Sequence, residues 1–375
     1  MLTLTHRQIL RFISAAGSMT RADLGARIGL SKAAMSGLTR ELLDKGLLRE
    51  TSTVQRQGRP STLLDLRPEG AYFIGVSMMS DPALIALVDL KGGIVASIEV
   101  PRSIDPDAFA QTVADSLPSL TRTGGVASER VAGMGVSLSG LVDQEQANCI
   151  KSTLLGWQDV PLAKLIRTRT NLPTFIENDA KALAVREKLF GEARDMHAFT
   201  LIWLGDGIGA AHFVHDRLYR GAHGGAGEIA HCTVDVDGLP CRCGKIGCLD
   251  TVASMIAILD QARADGIEAE TLRDVEAVAA SGSSSAIRLL HRAGSALGLA
   301  IAQIIQINDP QMVVVTHREE AFDGLFATVM QQAIEANVLP RLSGDTPIRM
   351  RRVADDAWAV GAASVATQSF LNGII

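Results

Sequence analysis

Residues 224–250 read GGAGEIAHCTVDVDGLPCRCGKIGCLD. The stretch holds one histidine, His231, and three closely spaced cysteines, Cys241, Cys243 and Cys248, as Cys-x-Cys-x4-Cys. One imidazole and three thiolates satisfy tetrahedral Zn²⁺ with no open position, which makes a structural site and leaves no room for a catalytic water. Gly244 and Gly247 let so short a loop fold back around a single ion. Bound zinc contributes on the order of 10 kcal/mol to ordering such a loop. Three of the five cysteines lie within this loop, which points to metal binding in a reducing compartment and not to disulfides. Cys149 and Cys232 fit no ligand spacing and read as small buried hydrophobes.

Upstream of the loop, FTLIWLGDGIGAAHFVHDRLYRG (199–221) reads as strand, tight turn, strand. The same pattern opens an earlier block. YFIGVSMM, PALIALVDLKGG and IVASIEV (72–100) read as three sequential strands, with a turn at Gly92-Gly93. A helix over about 106–121, a strand VAGMGVSLSG (131–140) and a strand TFIEND (174–179) follow. Two halves that each open on antiparallel strands and continue in alternation predict a duplicated α/β fold of two lobes. Ligands in such folds usually sit in the cleft between the lobes.

The first 67 residues read differently. Ile9, Leu10 and Ile13 give residues 5–16 the apolar stripe of an amphipathic helix, and RADLGARI (21–28) supplies a second. Gly29-Leu30 breaks it, Ser31 caps a third helix, and Gly46 ends that helix. Met35, Leu38 and Leu42 face inward, while Lys32, Ala33, Ser36 and Arg40 form a face able to enter a major groove. Two short strands then flank Arg56-Gln57-Gly58-Arg59-Pro60, a basic wing tip suited to phosphates or a narrow minor groove. This is the layout of a winged helix-turn-helix, with Lys32, Ala33, Ser36, Arg40, Arg56 and Arg59 as its DNA-binding residues. Charge agrees. Residues 1–67 carry 11 Lys and Arg against 5 Asp and Glu, a net of +6; the rest carries 25 and 36, a net of −11. A basic head on an acidic body suits a nucleic-acid-binding module joined to a metabolite-binding domain.

The block 224–250, together with FIENDAKALA and the LGDGIG turn, resembles the ROK family of repressors, open reading frames and sugar kinases, on its transcriptional-regulator side. The likeness runs over essentially the whole chain, winged helix included. It implies an α/β body of the hexokinase/actin-like (ribonuclease H-like) fold, a carbohydrate effector, and a homodimer or tetramer. Domains are expected at 1–67 (winged helix), at 68–180 with a C-terminal helix over about 355–375 packing back, and at 181–354, where the zinc loop lies. By the same resemblance Gly140, Asn178, Asp179, Glu228, His231 and Asp250 contact the sugar. His231 would use one ring nitrogen for zinc and the other for a hydroxyl. One departure concerns Asp250, where the family usually has Glu, one methylene longer.

The resemblance also implies what has been lost. The family's first phosphate turn has an Asp and Gly-Gly-Thr; this chain has Ser77-Met78-Met79-Ser80-Asp81. Asp206 stands where the second turn carries Thr, and Thr316-His317 where Gly-Gly is expected. Asp179, the position of the kinase base, remains. The expectation is a sugar-responsive transcription regulator that binds operator DNA and does not phosphorylate its ligand. Two alternatives stay open: a sugar kinase with a regulatory DNA-binding head, or a regulator with a vestigial cleft controlled by a partner protein. No signal peptide and no run of about 20 apolar residues is seen, so no membrane role and a cytoplasmic location are expected.

Overall fold

The computed structural model describes residues 2–54, 60–342 and 344–375. The chain forms two compact units, Met1–Asp195 with Asp355–Ile375, and Met196–Ala354. Among the described residues no helix is long and apolar enough to cross a membrane.

The winged helix is built as its sequence dictates. Helices run over Leu4–Ala16, Arg21–Ile28 and Lys32–Asp44. Each is capped by a hydroxyl: Thr3, Thr20 and Ser31 accept from the backbone N–H three residues on. Between the second and third helices, Gly29 takes a left-handed conformation (φ 77°), and the N–H groups of Gly29 and Leu30 both donate to the Gly25 carbonyl. A Cβ on Gly25 would lie 3.2 Å from the Leu30 carbonyl, so a glycine lets the turn close. Strands Leu48–Val54 and Ser61–Leu66 pair antiparallel, and Met19–Thr20 adds to the second of them.

This module is not a separate body. Ile9, Leu10, Ile13, Leu24 and Met35 share one apolar cluster with Phe73, Val88, Leu90, Ala363 and Leu371. The connection is a single tight turn, Pro68–Gly70, whose Pro68 carbonyl accepts from Leu90. Arg7 donates to the Phe370 and Ile375 carbonyls, and Lys91 reaches Asp65 at 2.7 Å. The residues expected as a 1–67 winged-helix domain thus fall in the same compact unit as the first lobe.

The rest of the first unit is a five-stranded sheet in the order Thr174–Asn178, Val131–Leu138, Tyr72–Ser77, Ala83–Asp89, Ile94–Val100. The first three run parallel and the rest form an antiparallel meander. One face is covered by Pro106–Thr123 and Leu162–Thr170, through Phe109, Val113, Leu120 and Ile166. The other carries the C-terminal helix Ala357–Asn372 in very close contact. A Cβ on Gly75 or Gly135 would sit 1.8 Å from the Ala359 or Ala362 carbonyl, so two neighbouring strands need glycine beneath this helix. Helix Asp179–Phe190 packs against the same C-terminal helix. The crossing to the second unit accordingly falls after Asp195, past the expected boundary at 180.

The second unit repeats the topology. Its sheet runs Arg217–Tyr219, Ile208–Val214, Phe199–Leu204, Val313–His317, Ile348–Arg352. Numbered within each sheet, both units read 3-2-1-4-5, with strands 1, 4 and 5 parallel. That is the duplication expected from the sequence. The second unit differs in what it inserts between strands 3 and 4: the cysteine loop, then a run of helices ending in the 25-residue Ser284–Asn308. That helix packs against Leu325–Asn337, its Gly294 and Gly298 facing the Phe326 and Met330 carbonyls.

Candidate functional site

On the third helix Lys32, Ala33 and Arg40 are exposed and Ser36 is half-buried. Arg56 and Arg59 lie outside the described residues. Sequence reasoning missed Arg21. Its Nε donates to Thr39 Oγ1 (3.1 Å) and its Nη2 to Glu50 Oε1 (2.8 Å). Thr39 is buried and in turn donates to the Met35 carbonyl. One guanidinium thus ties the second helix, the third helix and the wing strand, which fixes the face presented to a groove. Nothing in the sequence distinguishes Arg21 from an ordinary exposed helical cation.

The four metal-type ligands converge. One donor atom from each of His231, Cys241, Cys243 and Cys248 lies within 4.8 Å of all the others. His231 Nδ1 is 3.6 Å from Cys241 Sγ, and Cys243 Sγ is 3.7 Å from Cys248 Sγ. A tetrahedral zinc with sulfurs at about 2.3 Å and nitrogen at about 2.0 Å sets S···S at about 3.8 Å and N···S at about 3.5 Å, so donor set and spacing both fit. The loop owes its shape to two hydrogen-bonded reversals, Cys241 N–H to Lys245 and Gly247 N–H to Leu239. Gly247 has φ 69°, and a Cβ there would strike the Asp235 carbonyl. Cys248 is pushed up to about 12 by burial, with the neighbouring thiols adding to it. At Cys243 burial acts upward, but the Lys245 backbone, the flanking thiols and the Lys245 charge outweigh it and hold the thiol below its ordinary value. Cys149 is buried and pushed up to about 11 by that burial, as a hydrophobe would be. Cys232 is exposed, which corrects the buried reading: it follows the short turn Ile229–His231 and faces outward.

The residues nominated for carbohydrate fall in two groups, each within its own unit. In the first unit Asn178 caps helix Asp179–Phe190, accepting from Lys181 N–H, and donates through Nδ2 to the Gly140 carbonyl (3.2 Å). Gly140, Asn178 and the mostly buried Asp179 are thereby brought together. Gly140 has φ 155°, and a Cβ on it would lie 2.8 Å from the Lys151 carbonyl. In the second unit, Gly227 (φ 91°) lets its loop press on strand Ile208–Val214, where a Cβ would meet the Ala210 carbonyl at 2.0 Å. Glu228 follows and is exposed, and His231 closes the same turn. Asp250 meets the start of that strand as well, accepting from Ile208 N–H (3.4 Å). It also has a partner that sequence reasoning missed: Arg242 Nη2 lies 3.0 Å from its Oδ2. The signal was present in the shortened acid and the arginine inside Cys-x-Cys.

In the stretches that stand for the family's phosphate turns, Ser77, Met78, Thr316 and His317 are buried, while Ser80, Asp81 and Asp206 are exposed. Ser77 Oγ accepts from Met79 N–H. Thr316 donates to the Ile202 carbonyl (2.9 Å). His317 stacks on Phe322 with centroids 4.6 Å apart, and burial holds its pKa below the ordinary imidazole value. The Trp203 indole folds over Gly205, where a Cβ would lie 2.2 Å from the ring, and Arg318 lies over the indole. Asp206 is exposed in the same turn.

A winged helix continuous with a duplicated 3-2-1-4-5 body, with a His/Cys3 loop inserted in its second half, defines a DNA-binding module on a hexokinase/actin-like fold. Residues 73–369 match the ROK family model, and the chain belongs to the ROK family. Residues 2–59 match the MarR family, consistent with the winged helix. The xylose repressor of Caldicellulosiruptor bescii is 25% identical over 370 residues, spanning 94% of this chain and 93% of its own. The DNA-binding transcriptional dual regulator NagC of Escherichia coli K12 is 25% identical, over 99% of this chain and 94% of its own. A solved ROK family transcriptional regulator, a homolog of the E. coli MLC protein, superposes with a TM-score of 0.80 at 28% identity, covering 99% and 97% of the two chains.

Proposed function

We propose that this chain is a carbohydrate-responsive transcription repressor whose kinase-like body binds its effector and transfers no phosphate. The observation that carries the reading is the exchange at the sheet ends. Hydroxyl partners remain at Asn178, Asp179, Glu228 and His231, while Ser77, Thr316 and His317 are buried at positions the family uses for nucleotide, and Asp206 puts an exposed acid at another. Gly140, Asn178, Asp179, Glu228 and His231 recognise the carbohydrate, and Asp250 acts through Arg242, which it holds. Operator DNA is held by Lys32, Ala33, Ser36 and Arg40, with Arg56 and Arg59 on the wing. Zinc at His231, Cys241, Cys243 and Cys248 would supply structural order only; the chain's own Gly244 and Gly247 turns orient the ligands, and His231 Nε2 stays available for a hydroxyl. The repressor acts as a cytoplasmic homodimer or tetramer, whose symmetry matches a palindromic operator.

The test is calorimetry with xylose, glucose and N-acetylglucosamine, with and without operator, beside a coupled ADP-release assay. The expected outcome is sugar binding whose affinity changes with operator, and no sugar-dependent ADP release. Robust ADP release would make the chain a kinase; sugar affinity indifferent to operator would remove this site as the regulatory input.

A further inference from the structure

We propose that the effector carries an acidic group, a phosphate ester or a carboxylate, and that Arg242 binds it. The inference rests on the carbohydrate reading of this site and narrows its ligand class. Asp250 is nearly buried, its side chain 8% exposed, and it is committed within the protein. Its Oδ2 takes Arg242 Nη2 at 3.0 Å, and its Oδ1 takes Ile208 N–H and the same nitrogen, each at 3.4 Å. The carboxylate lies against the start of strand Ile208–Val214, and the more exposed guanidinium covers it. What faces outward at this point is Arg242, whose side chain is 52% exposed.

Arg242 is held rather than loose. The turn Cys241–Lys245 closes on either side of it, with Cys241 N–H donating to Lys245 and Gly244 N–H to Cys241. Its Nη2 lies where a Cβ on Gly207 would come within 2.6 Å, so the glycine of the Asp206-Gly207 turn makes room for it. Asp250 then acts as a positioning residue, aiming the fork without using up its donors. A guanidinium has five N–H donors and no acceptor, and Asp250 engages only one nitrogen. The complement is an oxygen acceptor, and a bidentate anion fits the planar fork best.

Calorimetry on the full-length protein tests this with matched probes: glucose, glucose 6-phosphate and glucuronate, then N-acetylglucosamine and its 6-phosphate, with inorganic phosphate alone as control. In at least one set the acidic sugar should bind about tenfold or more tighter than its neutral parent. Comparing the phosphate and uronate arms identifies which acid is recognised. In Arg242→Gln the acid-to-neutral ratio should collapse toward one, and Arg242→Lys should restore part of it, as a point charge without the fork. The ratio in the unmutated protein should also fall as salt is raised, which needs no variant to fold. Sugar binding with no preference for the acid, or a preference that survives Arg242→Gln, overturns the charge inference and leaves the carbohydrate reading standing. Failure of every sugar to bind, acidic or neutral, overturns both, and binding of inorganic phosphate as tightly as of the sugar phosphate overturns the carbohydrate part alone.

Discussion

The two five-stranded sheets have the same strand order and put their sequence to different uses. In the first unit a helix lies directly on the sheet through Gly75 and Gly135, and the winged helix shares its apolar cluster. In the second, the stretch between strands 3 and 4 has grown into a cysteine loop and a helical layer, and glycines serve helix-on-helix contact instead. The first unit is thus held by close backbone approach, and the second by an apolar core of helices on its sheet, to which the cysteine loop is joined through Ile229, Ala230 and Leu249. Duplication supplies a frame twice over, and the insertions decide what each copy does.

The sharpest way to break this comparison is to remove the metal. Freshly prepared protein should contain one zinc per chain by elemental analysis. Chelation should withdraw a contribution on the order of 10 kcal/mol to loop order. Two unfolding transitions should then separate, with that of the second unit falling by about 10 °C or more and that of the first unit nearly still. Zinc well below one equivalent, or both transitions falling together, would remove the distinction. Cys243→Ser should reproduce the chelated profile.

Glycine substitution addresses the opposite unit. Gly135→Ala places a methyl 1.8 Å from the Ala362 carbonyl, which no side-chain rotation can relieve. The expected cost is about 3 kcal/mol or more, read as a loss of denaturation midpoint. Gly294→Ala meets the Phe326 carbonyl at 2.7 Å, where the two helices can part slightly, and about 1–2 kcal/mol is expected. Equal costs would show that the first sheet yields as easily as the helical pair.

Between these stands ligand recognition. Glu228 is exposed on a turn that Gly227 presses against the strand, and its carboxylate is open to a hydroxyl. Glu228→Gln should weaken carbohydrate binding by about 1.5–3 kcal/mol, ten- to a hundredfold, as a charged acceptor becomes neutral. Calorimetry beside the zinc assay separates this from loop disorder: a variant that keeps its zinc and its sugar affinity would take Glu228 out of the site.

Much of this architecture was readable beforehand, for physical reasons. The sheet strands of the first unit are apolar runs bounded by turn residues, and His231 with Cys241, Cys243 and Cys248 is a ligand set whose chemistry is local in sequence. What escaped depends on distant partners. Arg21 bonding Thr39 and Glu50, Trp203 lying over Gly205, and the sharing of one core by Leu10 and Phe73 involve residues whose types fit many environments. Cys232 shows the limit of composition: cysteine is commonly buried, but the turn after His231 points this one outward. The Arg242–Asp250 pair lies between: both residues stand in the motif, and the folded loop shows that they meet.

The smallest effect expected concerns the DNA face, and it sharpens the contrast between a held scaffold and its exposed reading surface. Arg40 is exposed on the third helix, while Arg21 on the second is bonded to Thr39 and Glu50. If Arg40 meets a phosphate, Arg40→Ala should lower the slope of log affinity against log salt by about 0.9, with little dependence on DNA sequence. Arg21→Met removes no phosphate contact but releases the helix from the wing strand. It should leave the salt slope in place and lower the discrimination between operator and random duplex, because base contacts need a fixed face more than charge does. Fluorescence anisotropy on both duplexes across a salt series reads both quantities. An unchanged slope in Arg40→Ala would place that residue off the backbone. A slope that falls in Arg21→Met would show that this guanidinium leaves Thr39 and Glu50 to touch DNA itself, so that the scaffold and the reading surface are one.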